Sequence, residues 1–237
     1  MLFQLKNYSR NYGHHRHVLA GINISIDVGQ IVCVMGPNGA GKTSLIEAIL
    51  SHHRPTDAFL YFKDIQISNL DSHQNFTSQC GYIGHEPGLI YDLTALENLE
   101  YFADFHCEKR PSRSHLMQLL SKVGLANRSN DRARTFSRGM RQRLSIARSL
   151  VHSPSLLLYD EPLTGLDTNG IQLLVSLLQQ FKTNDSSALI VTHDDRPFRS
   201  IADRYLFIKA GQLIADIEAS RYNQKSKLAV QELINKV

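Results

Sequence analysis

The sequence predicts an α/β fold with antiparallel strands at its N-terminus and a helical subdomain inserted into the core. Three observations carry this. First, 31–35 (IVCVM), 156–159 (LLLY), 188–191 (ALIV) and 205–208 (YLFI) are short, unbroken apolar runs, the pattern of strands buried on both faces. Second, the apolar period changes to 3.6 between about residues 94 and 150, with no strand-like run. Third, the opening LFQLKNY and VLAGINISIDV segments alternate apolar and polar positions, as half-buried strands do.

The chain has 237 residues, 42% of them hydrophobic and 20% charged, which suits one domain with a sizeable core and excludes a disordered chain. No apolar run approaches the ~18 residues of a membrane span. The N-terminal MLFQLKNYSR has no apolar signal core. The expectation is a soluble chain, or one held at a membrane by partners. Three cysteines (Cys33, Cys80, Cys107) without metal spacing fit a reducing compartment. The net charge of +4 is a mild excess, so the arginines at 132, 134, 138, 141 and 143 read as a solvated face, and no nucleic-acid partner is expected.

After the 31–35 strand come glycines 36, 39 and 41 and a helical pattern from about 42 to 50. TALENLEYFADF, SHLMQLLSKVGL and RGMRQRLSIARSLV supply the helices of the 94–150 subdomain. The three later apolar runs complete the core. The tail, about 219–237, is polar and weakly helical, and is expected to be mobile. The whole chain reads as a single domain.

Residues Gly36, Pro37, Asn38, Gly39, Ala40, Gly41, Lys42 and Thr43, followed by Ser44, fit G-x-x-x-x-G-K-[ST] between a strand and a helix, the context this phosphate loop needs. Glycines let backbone N–H groups turn inward around phosphates, and the helix N-terminus adds partial positive charge. Lys42 is expected to neutralise β- and γ-phosphates, and the Thr43 hydroxyl to ligate Mg²⁺. The LLLY run ends in Asp160 and Glu161. Asp160 is placed to reach Mg²⁺ and Glu161 to act as general base on an attacking water.

Ser137, Arg138, Gly139 and Met140, within FSRGMRQR, lie 95 residues after Lys42 and 23 before Asp160. Here the sequence resembles the ATP-binding cassette (ABC) ATPases, whose signature L-S-G-G-Q keeps its Ser and second Gly as Ser137 and Gly139. Phe136, Arg138 and Met140 depart from it, and S-R-G-M is a variant found in that family. In physical terms Ser137 caps a helix and Gly139 exposes N–H groups, an anion site suited to a γ-phosphate presented by another subunit.

The resemblance implies further roles. Tyr12 stands where the family stacks an aromatic on adenine. Asp167, in Thr164-Gly165-Leu166-Asp167, matches the D-loop that couples two subunits. His193, in Val191-Thr192-His193-Asp194, matches the switch histidine that contacts the γ-phosphate. His85 falls at the Q-loop position, where an imidazole can still exchange one hydrogen bond in place of the usual Gln. Gly84-His85-Glu86-Pro87-Gly88 followed by Leu93-Thr94-Ala95-Leu96-Glu97-Asn98-Leu99 is similar to the ATP-binding subunit of haem exporters of cytochrome c maturation. Other small exporters of lipids or drugs share S-R-G-M-x-Q-R.

The resemblance thus implies an ATPase that uses ATP and Mg²⁺ and works as a homodimer. It would sit on integral membrane transporter subunits at the cytoplasmic face of the inner membrane and energise export. A non-transport ABC ATPase is disfavoured by the single phosphate loop and the short spacing to the signature. His14-His15-Arg16-His17 reads as a solvated turn between two edge strands, and His52-His53 likewise as solvated. Tyr91, Tyr101, Phe102 and Phe105 read as core and partner-facing surface.

Overall fold

A computed structural model describes residues 1–12, 16–52, 58–107 and 109–235. In chain order the strands are β1 (Phe3–Tyr12), β2 (Arg16–Ile26), β3 (Ile31–Met35), β4 (Phe59–Phe62), β5 (Ile65–Gln66), β6 (Cys80–Ile83), β7 (Leu156–Asp160), β8 (Ser187–Val191), β9 (Arg204–Lys209) and β10 (Gln212–Glu218). The helices are α1 (Lys42–Leu50), α2 (Leu70–Ser78), α3 (Ala95–His106), α4 (Arg113–Lys122), α5 (Arg138–Ser149), α6 (Thr168–Thr183) and α7 (Gln224–Asn235).

Two sheets form. One is antiparallel, in the order β2-β1-β4-β5. The other runs β10-β9-β3-β8-β7-β6, parallel except for the β9–β10 hairpin. The parallel strands read as continuous apolar runs because both of their faces are covered. Val32, Val34, Leu156, Leu158, Leu189 and Val191 face a core shared with α1 and the antiparallel sheet. Their alternates Ile31, Cys33, Leu157, Tyr159, Ala188 and Ile190 face a second core shared with α3 to α7. Each fully buried leucine or isoleucine stabilises the fold by about 1.5–3 kcal/mol. Burial pushes the Cys33 and Cys80 thiols well above their ordinary range, so both act as small apolar residues.

Helices α3, α4 and α5 occupy 95–149. The first of them begins in a capping box: Glu97 N donates to Thr94 Oγ1 (3.1 Å) and Thr94 N to Glu97 Oε2 (2.8 Å). The arginines of this region are largely engaged. Arg134 pairs with Asp92 at 3.2 Å, Arg141 lies 5.6 Å from the Tyr91 ring centre, and Arg143 donates to Val123 O at 3.3 Å. Tyr91, Tyr101 and Phe105 are exposed, and Phe102 is half-buried beneath the Arg148 guanidinium.

Two expectations need correction. β2 is an edge strand but β1 lies between β2 and β4, so 14–17 does not join two edge strands. His14, His15 and His53 lie outside the described residues, and nothing is described of the Arg16 and His17 side chains. The tail is also not loose. Helix α7 docks with Val230 buried, Lys227 Nζ is 2.7 Å from Asp195 Oδ2, and Lys209 Nζ donates to Leu233 O at 3.1 Å.

A pH effect follows from the joint between α3 and the β7 approach. The His106 and His152 rings are 5.3 Å apart, and His152 Nε2 pairs with Cys80 O at 3.0 Å. Burial and the nearby Arg148 guanidinium push both imidazoles below their ordinary range. The unfolded chain therefore binds these protons more readily. This contribution to stability is complete above the unfolded histidine pKa, about 6.5, and is lost as pH falls below it. Thermal unfolding is expected to show a lower Tm at pH 5 than at pH 7. His152→Gln, which keeps a donor for Cys80 O, is expected to reduce the difference; an unchanged Tm–pH profile in that variant would remove His152 from this effect.

Candidate active site

The carboxyl ends of four adjacent parallel strands converge, the place where open α/β sheets hold ligands. β3 delivers the 36–43 loop, β8 delivers Thr192 and His193, β7 delivers Asp160 and Glu161, and β6 leads to His85. Asn38, Gly39, Gly41, Lys42, Thr43, Ser44, His85, Asp160 and Glu161 line one cleft of about 260 Å³, joined by Val18 from β2. Gly36, Pro37 and Ala40 shape the loop rather than line the cleft. A Cβ on Gly36 would sit 2.1 Å from Ile208 O, so only glycine lets the loop pass over β9.

Lys42 is nearly buried, at 8% exposure, and its Nζ donates to Gly36 O (2.9 Å) and Pro37 O (3.0 Å). The ammonium is thereby folded back along the 36–41 loop. Thr43 Oγ1 donates to Asp160 Oδ2 at 2.7 Å, and Asp160 is 3% exposed. A hydroxyl and a carboxylate in contact are the hard oxygen donors that suit Mg²⁺, so the residues fit that ion. Glu161 takes left-handed backbone, φ 51°, an uncommon conformation for a non-glycine residue. Glu161 N donates to Val191 O at 2.9 Å. Its Oε2 is 2.7 Å from His193 Nδ1. A carboxylate only accepts, so Nδ1 carries the hydrogen in this pair. The arrangement can bind a phosphate chain, hold a divalent cation and present an oriented carboxylate base.

Tyr12 ends β1, and nothing is described of its side chain. Ser137, Arg138, Gly139, Met140 and Asp167 do not line the cleft. Ser137 is exposed and caps α5, its Oγ accepting from Met140 N at 3.2 Å. Gly139 has a packing reason that sequence reasoning missed: a Cβ there would sit 2.7 Å from Gly165 O, so the signature segment rests on the 164–167 loop. Asp167 caps α6, its Oδ1 accepting from Gly170 N at 2.8 Å.

Sequence reasoning also missed three polar residues on α5, spaced i, i+3 and i+6. Gln142 Nε2 donates to Pro162 O at 3.1 Å. Ser145 Oγ donates to Pro87 O at 2.8 Å. Arg148 donates to Gly88 O and to Tyr82 O, each at 2.8 Å. The helix that begins at Ser137 is therefore tied both to the turn after Glu161 and to the segment around His85. Their spacing, which puts three polar groups on one helix face against the core, was the available signal.

Comparison with known proteins places this geometry. The family model for ABC transporters matches residues 19–164. The lantibiotic transport ATP-binding protein SrtF of Streptococcus pyogenes is 33% identical over 217 residues, covering 92% of this chain and 91% of that one. The macrolide export ATP-binding/permease protein MacB of Pasteurella multocida is 33% identical over 232 residues, covering 95% of this chain and 36% of that one. Among solved structures, the dimeric post-hydrolysis state of the cassette MJ0796 bound to ADP and Pi superposes with TM-score 0.81 at 27% identity, covering 92% of this chain and 99% of that one.

Proposed function

The chain belongs to the ABC transporter family as an ATP-binding subunit with ABC ATPase activity, and from that premise we propose that it energises export through separate membrane subunits. The observation that carries the mechanism is the pairing of two contacts at the carboxyl end of β7, Thr43–Asp160 and Glu161–His193, each at 2.7 Å. Lys42 and the N–H groups of 38–44 hold the phosphates of ATP. Thr43 and Asp160 would hold Mg²⁺, which when bound would neutralise phosphate charge. Glu161 accepts a proton from the water that attacks the γ-phosphorus while the bond from that phosphorus to the β–γ bridging oxygen breaks and ADP leaves, and His193 keeps that carboxylate aimed. His85 lies in the same cleft and offers one imidazole hydrogen bond where the family places a Gln. The adenine-stacking position of the family falls at Tyr12.

Two copies close head to tail, so that Ser137, Arg138, Gly139 and Met140 of one subunit meet the γ-phosphate held by Lys42 of the other, with Asp167 at the contact. MJ0796, the relative with ADP and Pi, is dimeric, which supports this reading. Among the described residues no helix is long and apolar enough to cross a membrane. In this reading the pathway lies in separate membrane subunits, with this subunit peripheral on the cytoplasmic face. The exposed Tyr101 and Phe105, ring centres 4.8 Å apart, suit such a contact.

The cargo we propose is haem, for maturation of c-type cytochromes. Support comes from Gly84-His85-Glu86-Pro87-Gly88 and the Leu93–Leu99 run that follows it. The second reading is export of another small molecule, favoured by the lantibiotic transport and macrolide export proteins among the relatives. Cells lacking the protein are expected to make haem but accumulate little mature c-type cytochrome, and Lys42→Ala is expected not to rescue them. Normal cytochrome c levels in such cells would sink the haem reading and leave the ATPase reading standing.

A further inference from the structure

We propose that α7 is a positioning element for the His193 loop, acting through the Lys227–Asp195 ion pair. The inference rests on the ATPase reading above and concerns residues beyond the segment that matches the family model. The His193 side chain is exposed, and its hydrogen bond to Glu161 is the contact that holds the ring. The backbone around it must therefore be set by its flanks. On one side Thr192 is fully buried, and its Oγ1 donates to Asp194 O and accepts from Asp194 N, both at 3.1 Å. On the other side Asp195 is 7% exposed and holds two cations.

Those two cations differ in what they can anchor. Arg199 donates to Asp195 through Nε (2.8 Å) and Nη2 (3.1 Å), but it lies four residues along the same segment and moves with it. Lys227, 32 residues away, ties the segment to a separate element at 2.7 Å. Burial alone would raise the Asp195 carboxyl; hydrogen bonds from Arg199 and Lys227 outweigh it and hold the group below the ordinary carboxylate range, so the pair is charged.

Helix α7 is itself fixed from below. Tyr222 stacks on Tyr205 of β9 with ring centres 4.0 Å apart, and its hydroxyl is 3.9 Å from Met35 Sδ at the end of β3. Lys227 Nζ lies 4.7 Å from the Tyr222 ring centre. A cavity joins α7 to both halves of the site, bounded by Val230 and Ile234 on the helix, by Gly36 and Pro37 of the phosphate loop and by His193. Gly36 and Pro37 are also the residues whose carbonyls hold Lys42. One helix thus holds the flank of the loop that carries the histidine on the base, and lines the same cavity as Gly36 and Pro37.

Lys227→Met tests this, because the thioether keeps the aliphatic stem against Tyr222 and removes the charge. The expected result is a fall in kcat of about tenfold, the scale of a small misplacement in an oriented site. The KM for ATP is expected to stay within about twofold and Tm to stay near the parent's, with Lys227→Arg restoring kcat. A parental kcat in Lys227→Met overturns the proposal. So does a kcat loss that comes with an equal loss in ATP affinity, or one that Lys227→Arg leaves unrepaired. If the parent chain hydrolyses no ATP, the ATPase reading fails instead; hydrolysis by the parent and by Lys227→Met alike fails this inference alone.

Discussion

Glu161→Gln is expected to leave ATP binding intact and to lower turnover by about 10²-fold or more, the usual contribution of a general base. The substitution changes little else. Gln has the shape of Glu, so the left-handed backbone at φ 51° and the bond from Glu161 N to Val191 O carry over. The side-chain amide oxygen can still accept from His193 Nδ1, where the carboxylate oxygen now does at 2.7 Å. What disappears is the capacity to take a proton from water. A site that binds ATP but does not cleave it keeps two copies closed, so the variant is expected to dimerise with ATP and not with ADP. Light scattering with each nucleotide, beside a phosphate-release assay, reads both effects. Near-normal hydrolysis would remove Glu161 from the role of base and leave its contact with His193 a structural one.

The parts of this molecule that were legible in its sequence share a physical feature: their signal is local. Ile31–Met35 and Leu156–Asp160 announce themselves because strands covered on both faces must be apolar throughout. The 36–44 segment, Asp160 and Glu161, most of which the structure brings to one cleft, stand out because their residue types fall at the fixed offsets that phosphate and metal chemistry would require. Less local features were missed. β4 is four residues long and β5 only two, too short to show an alternation, and α2 carries just two buried side chains, His73 and Phe76. Helix α7 was expected to be loose because QKSKLAVQELIN has little apolar face; its anchor, Lys227 on Asp195, is a pairing that no periodicity reveals. Gln142, Ser145 and Arg148 were missed for another reason. They bind backbone carbonyls of residues 82, 87, 88 and 162, and a carbonyl has no residue identity to read.

Ser137→Arg is expected to abolish hydrolysis while changing the nucleotide affinity of the isolated subunit by less than about twofold, because a residue outside the cleft contributes nothing to binding in its own subunit. Ser137 is exposed at the start of α5, and the segment it heads rests on the 164–167 loop through Gly139. In the proposed dimer an arginine there would fill the space that the partner's γ-phosphate takes. It also removes the helix cap, at a cost of about 1 kcal/mol, which a modest drop in Tm would report separately from activity. Mixing supplies the stronger evidence. Lys42→Ala and Ser137→Arg are each expected to be inactive alone. In a head-to-tail dimer of one copy of each, one site pairs the intact Lys42 of the Ser137→Arg chain with the intact Ser137 of the Lys42→Ala chain. An equal mixture therefore holds intact composite sites at about a quarter of all positions, if the two-fold pair forms at random. Regained hydrolysis in the mixture is the expected result, with equilibrium binding of a fluorescent nucleotide to monomeric Ser137→Arg as its companion. A large loss of monomer affinity, together with no regain on mixing, would mean that Ser137 serves the ATP of its own subunit.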